Sequence, residues 1–200
     1  MSYLFYDCEI INLIPDRKTP NDPNYTYCKG WGDYAHMGIS VLGFHSSFDG
    51  LGHILGECLV NHYQKIDFND YIKAHDFVIG FNSKSFDDKL CICNGIQIKT
   101  HYDLLDQIRL AAFGTTAWQD TPSGFSYTLG AIAASNGMAK TGSGELAPKL
   151  WQDGKKQEVI NYCLNDVQLT VDIFNLGING MLIDPNNQNL LTIPMPEDLC

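Results

Sequence analysis

The sequence predicts an α/β fold closed by a C-terminal hairpin, and three observations carry that expectation. Residues 3–10 form a short run whose apolar residues fall on both faces, the mark of a covered central strand. Further short apolar runs, at 38–44 and 77–81, alternate with helical periodicity. The longest helical stretch is 159–174, with its stripe at Ile160, Cys163, Val167, Val171 and Phe174. Finally, 181–183 and 190–193 flank a polar Asp-Pro-Asn-Asn-Gln-Asn turn, which reads as a hairpin.

Taken in order, the elements have local causes. In the 3–10 strand six apolar or aromatic residues surround Asp7 and Glu9. Side chains alternate along a strand, so the two acids share one face while Tyr6, Cys8 and Ile10 take the other. Residues 12–36 are rich in Pro, Asn, Asp and Tyr and have no period; so long a loop is functional or unstructured. A second strand is expected at 38–44. The 53–59 stretch is ambiguous and favours a helix or mixed segment. A short helix at 68–73 leads into the 77–81 strand, and Asn94-Gly95 turns into another strand at 96–101.

A helix is expected from 102 to about 113, with Asp103 as its N-terminal cap and Gly114 as its stop. An amphipathic helix at 127–135 is closed by Asn136-Gly137. Residues 138–145 read as a flexible, weakly basic arm. They are not a phosphate-binding loop, since Gly-Lys-Ser/Thr after a strand is absent. A short helix at 146–151 and Gly154-Lys155-Lys156 precede the 159–174 helix.

The acids carry the chemistry. A carboxylate pair at the end of a covered strand is costly to desolvate without a cation, unless the strand end simply reaches water. Asn82-Ser83-Lys84-Ser85-Phe86-Asp87-Asp88 follows the 77–81 strand and places Asp87 in the first turn of a helix. Tyr162 and Asp166, four residues apart, stack on one face of the 159–174 helix. The set is Asp-x-Glu, Asn-x-x-x-Phe-Asp and Tyr-x-x-x-Asp, in that order over residues 3–175. It resembles the DEDD 3′–5′ exonucleases, in the branch whose third motif carries Tyr.

The resemblance implies a ribonuclease H-like mixed sheet flanked by helices, as a single domain over 1–200. Residues 12–36 would be a long insertion and 178–200 the hairpin and tail. It implies that Asp7, Glu9, Asp87 and Asp166 hold two Mg²⁺ or Mn²⁺ ions, which suit clustered oxygen ligands. Tyr162 would orient the attacking water, and nucleoside 5′-monophosphates would leave from a 3′ end. Asp87 is preferred to Asp88 because it directly follows Phe86. Asn82 and Phe86 would meet the substrate, with DNA favoured over RNA and a replication or repair assembly compatible as a partner. Trp31, Tyr34 and His36 either stack on bases or seal the flank of the sheet. Lys140 either touches phosphate or stays solvated. Rival readings are a nuclease cutting internally, a ribonuclease, a small-nucleotide phosphodiesterase and a silent nucleic-acid-binding module.

Composition bounds these readings. Two hundred residues with 44% hydrophobic and 18% charged residues describe an ordinary globular chain. No basic apolar leader and no membrane-length apolar run are seen, so a soluble cytoplasmic protein is expected. The seven Cys are odd in number, and Cys91-x-Cys93 lacks a second pair at zinc-site spacing. A net charge of −10 disfavours long non-specific duplex binding more than it disfavours a small cleft gripping a strand end.

Overall fold

The computed structural model describes residues 1–55 and 62–199, and the side chains of all of these except 62–67. At its centre lies a mixed sheet of five strands: β1 (Tyr3–Ile10), β2 (Ile39–Ser46), β3 (Leu51–Ile54), β4 (Phe77–Gly80) and β5 (Tyr102–Asp103). The spatial order is β3-β2-β1-β4-β5. β1 runs antiparallel to β2 and parallel to β4, so the acid-bearing strand occupies the middle. Helices α1 (Tyr34–Met37), α2 (His62–Lys73), α3 (Asp87–Cys93), α4 (Leu104–Phe113), α5 (Leu129–Ser135), α6 (Ala147–Gln152) and α7 (Lys156–Ile178) flank it.

Both faces of β1 are covered. Phe5 packs with Ile79, Val167, Val171 and Phe174 beneath α7, while Leu4, Tyr6, Cys8 and Ile10 pack with Phe68, Ile72, Leu90 and Cys91 of α2 and α3. Each such buried side chain contributes roughly 1.5–3 kcal/mol. Helix α7 rests directly on β2 at Gly43, where a Cβ would lie 2.9 Å from Cys163 Sγ. A larger residue there would push α7 outward, and Asp166 with it.

Several expectations are corrected. Leu51–Ile54 is a strand because it completes the β2 ladder, Gly43 opposite Ile54; residues 56–59 lie outside the described residues. Residues 96–101 alternate as a strand would, with Ile96 and Ile98 buried, yet they form no ladder. Two of their backbone donors go to side chains, Gln97 N to Asn69 Oδ1 and Thr100 N to Asp88, while His101 N reaches Val78 O of β4. The 12–36 segment is neither unstructured nor wholly peripheral. Leu13 and Cys28 are buried, and the Gln152 side chain bonds both Thr26 N and Thr26 O. Residues 16–24 are exposed.

The hairpin, β6 (Leu182–Ile183) and β7 (Leu190–Leu191), buries Leu182 and Leu191 against the domain. Tyr127 donates to Asp184 Oδ2 at 2.9 Å, and Asn136 bonds both backbone groups of Ile183. Among the described residues no helix is long and apolar enough to cross a membrane.

Candidate metal centre

The end of β1 opens into a cavity of about 1900 Å³. Strand alternation turns Asp7 and Glu9 toward α7, and the β1–β2 register shifts between Glu9 and Ile10. Asp166 reaches the same place from α7. One carboxylate oxygen from each of Asp7, Glu9 and Asp166 lies within 4.8 Å of the others. Asp87, in the first turn of α3, is buried and lines the same cavity.

The electrostatics are unfavourable without a cation. Burial, and then the Asp166 charge, push Asp7 up to about 7. Glu9 is held well above its usual range by burial and the charges of Asp7 and Asp166, and Asp87 by burial and the charge of Asp7. Burial also raises Asp166, and Lys140 opposes that rise. Among the described residues Asp166 Oδ1 is buried with no hydrogen-bond partner. Converging oxygen donors, unbalanced charge and an orphaned oxygen suit a hard divalent cation.

No family model and no curated protein matches the chain. Among solved structures it is similar to the family B DNA polymerase from the hyperthermophilic archaeon Pyrobaculum calidifontis, with a TM-score of 0.58 and 18% identity. The match covers 87% of this chain and 24% of that one, so the chain spans about a quarter of the polymerase. The likeness is one of fold.

The structure gathers the other singled-out residues around this cavity. Tyr162 is buried beside Asp166, its hydroxyl made less acidic by burial and by the charges of Glu9, Asp166 and Asp7. Asn82 adopts a left-handed φ of 60°, a conformation non-glycine residues seldom take. Asp103 fixes that turn by accepting Asn82 N at 2.8 Å and Lys84 N at 3.2 Å, and it also caps α4 through Leu105 N. Phe86 meets Trp31 and Tyr34 edge-on. Trp31 does not seal the sheet flank: it is 77% exposed on the cavity rim.

Lys140 is not free in solvent. Its Nζ bonds Asp166 Oδ2 at 2.5 Å and lies 5.0 Å from the Tyr162 ring centre. Thr141 bonds Asn165 through both N and Oγ1, and Gly142 approaches Tyr162 so closely that a Cβ would lie 2.7 Å from the ring. The sequence reading also missed the rest of the cavity wall. Six of the thirteen Lys and Arg residues line it, namely Arg17, Lys18, Lys29, Arg109, Lys140 and Lys149. Besides the four site acids, only Asp16 and Glu145 oppose them there among the described residues. No local run of the sequence signals this wall, because its members are spread from Arg17 to Lys149 and only the fold gathers them.

Proposed function

We propose that the chain is a ribonuclease H-like, metal-dependent 3′–5′ exonuclease acting on single-stranded nucleic acid, DNA in preference to RNA. The observation that carries this reading is the convergence of Asp7, Glu9 and Asp166 in one cavity with Asp87 and Tyr162. The basic wall supports it, since phosphates bind where Lys and Arg gather whatever the charge of the whole chain. A fold shared with part of a DNA polymerase adds to it.

Asp7, Glu9 and Asp166 would hold one ion and Asp87 the second. Two bound divalent ions supply a nucleophilic water at neutral pH and stabilise the leaving oxygen of a phosphodiester. The protein's own groups do the rest. Tyr162, whose hydroxyl burial makes less acidic, would position a water by hydrogen bonding. Lys140 balances Asp166. The exposed rings of Trp31 and Trp118, 77% and 68% accessible on the rim, offer faces for bases.

The test is hydrolysis of DNA and RNA oligonucleotides labelled at either end, with Mn²⁺ or with EDTA. A 5′ label shortening one nucleotide at a time, only with metal, is expected. Internal fragments appearing first would contradict the exonuclease. The net charge of −10 favours a second reading, a small-nucleotide phosphodiesterase. Dinucleotides cleaved faster than 20-mers would select it.

A further inference from the structure

A hydrogen-bond network of buried side chains ties the half-buried Asp88 to the back of the acid-bearing strand. Tyr6, between Phe5 and Asp7 but on the opposite face of β1, donates to Asp88 Oδ1 at 2.6 Å. Thr100 donates to the same carboxylate through Oγ1 at 2.9 Å and N at 3.1 Å. Ser83, at the start of the turn leading to α3, bonds Thr100 Oγ1 at 2.9 Å. Tyr6 OH lies 3.0 Å from Thr100 Oγ1. The protons can be assigned consistently: Tyr6 and Thr100 give theirs to the carboxylate, and Ser83 gives its own to Thr100. Tyr6, Ser83 and Thr100 are all at least 97% buried. Gly80 makes room for this, because a Cβ there would collide with Ser83.

From this we infer that Asp88 is a positioning residue that sets Asp87 relative to Asp7; the inference rests on the metal-dependent reading above. Tyr6 immediately precedes Asp7 and Asp88 immediately follows Asp87, so one hydrogen bond links the neighbours of two acids from different elements. Simple stability would be served as well by apolar side chains filling the same seam. A satisfied polar network instead fixes direction and separation, which two cation-binding carboxylates require. Asp88 is thus excluded as a ligand by its own partners, while Asp87 beside it faces the cavity.

The experiment compares the parent with Tyr6→Phe and Asp88→Asn. Calorimetric Mn²⁺ titration, hydrolysis against Mn²⁺ concentration and melting in EDTA are measured for each. Tyr6→Phe keeps the ring and its packing, so it stays informative if Asp88→Asn fails to fold. The expected result is a melting temperature close to the parent's and a weaker Mn²⁺ site by roughly 10- to 100-fold. The lost rate should return at high Mn²⁺, and KM for the oligonucleotide should not change. Titration curves that superimpose on the parent's would overturn the inference and leave the metal-dependent reading intact. A rate loss that Mn²⁺ does not restore, matched by a lower melting temperature, would also overturn it in favour of a purely structural network. A parent that binds no Mn²⁺ would overturn both.

Discussion

Asp7→Asn should stabilise the metal-free protein, increasingly so as the pH rises. Burial and the Asp166 charge lift Asp7 from its ordinary value of 3.8 to about 7. Between those values the folded chain keeps a proton that the unfolded chain has lost. Folding stability therefore falls as pH rises through that window and levels off above about 7. For this one group the cost is about 1.5 kcal/mol at pH 5 and about 4 kcal/mol at pH 8. Water in the cavity mouth screens part of this, leaving an expected gain at pH 8 of about 2–3 kcal/mol. For a chain of 200 residues this corresponds to a rise in Tm of roughly 4–12 °C. Asn keeps the size and shape of Asp, so the gain reports charge. Parent and variant are melted at pH 5 and pH 8, in EDTA and in excess Mn²⁺. With Mn²⁺ the order should reverse, because an ion that binds only the folded parent stabilises it by mass action. Equal melting at pH 8 in EDTA, or an advantage that does not grow between pH 5 and pH 8, would refute the reasoning.

Three further outcomes follow from the same geometry. Tyr162→Phe keeps the ring packed against Gly142 and beneath Lys140, so Mn²⁺ binding should persist while turnover falls roughly 10- to 1,000-fold; unchanged turnover in single-turnover assays would remove Tyr162 from the reaction. Lys140→Met leaves Asp166 without its counter-charge and should cost about 2–4 kcal/mol in EDTA, a deficit that saturating Mn²⁺ largely removes in calorimetric melts. Shortening the exposed 16–24 stretch withdraws Arg17 and Lys18 from the cavity wall, so KM for a single strand should rise several-fold at low salt with Tm nearly unchanged; a large loss of Tm would show that the stretch is packed.

What was legible in the sequence was what short-range periodicity encodes. Alternation alone placed Asp7 and Glu9 on one face of β1, and helical spacing placed Tyr162 and Asp166 on one face of α7. Both elements appear where expected, β1 with the same bounds and α7 extended at both ends to Lys156–Ile178. The cap at Asp103 was equally local. Lys140 was not legible, because its partner Asp166 is 26 residues away and Asn165 and Tyr162 hold the segment that delivers it. The 96–101 stretch misled for a related reason. Its alternation was genuine and two isoleucines are buried, but Asn69 and Asp88 had taken backbone donors that a ladder needs. The basic wall was dispersed over 133 positions, from Arg17 to Lys149, and only the fold brings it together.

The central claim is that these carboxylates form a divalent-cation site that serves phosphodiester hydrolysis. Its most direct test is an anomalous difference map from crystals of the full chain soaked in Mn²⁺, collected at the manganese absorption edge. The account predicts a peak bounded by Asp7, Glu9 and Asp166, a second at Asp87, and loss of the first in Asp7→Asn. A map with no peak at the cluster, from protein that still hydrolyses a 3′ end in EDTA, would contradict it.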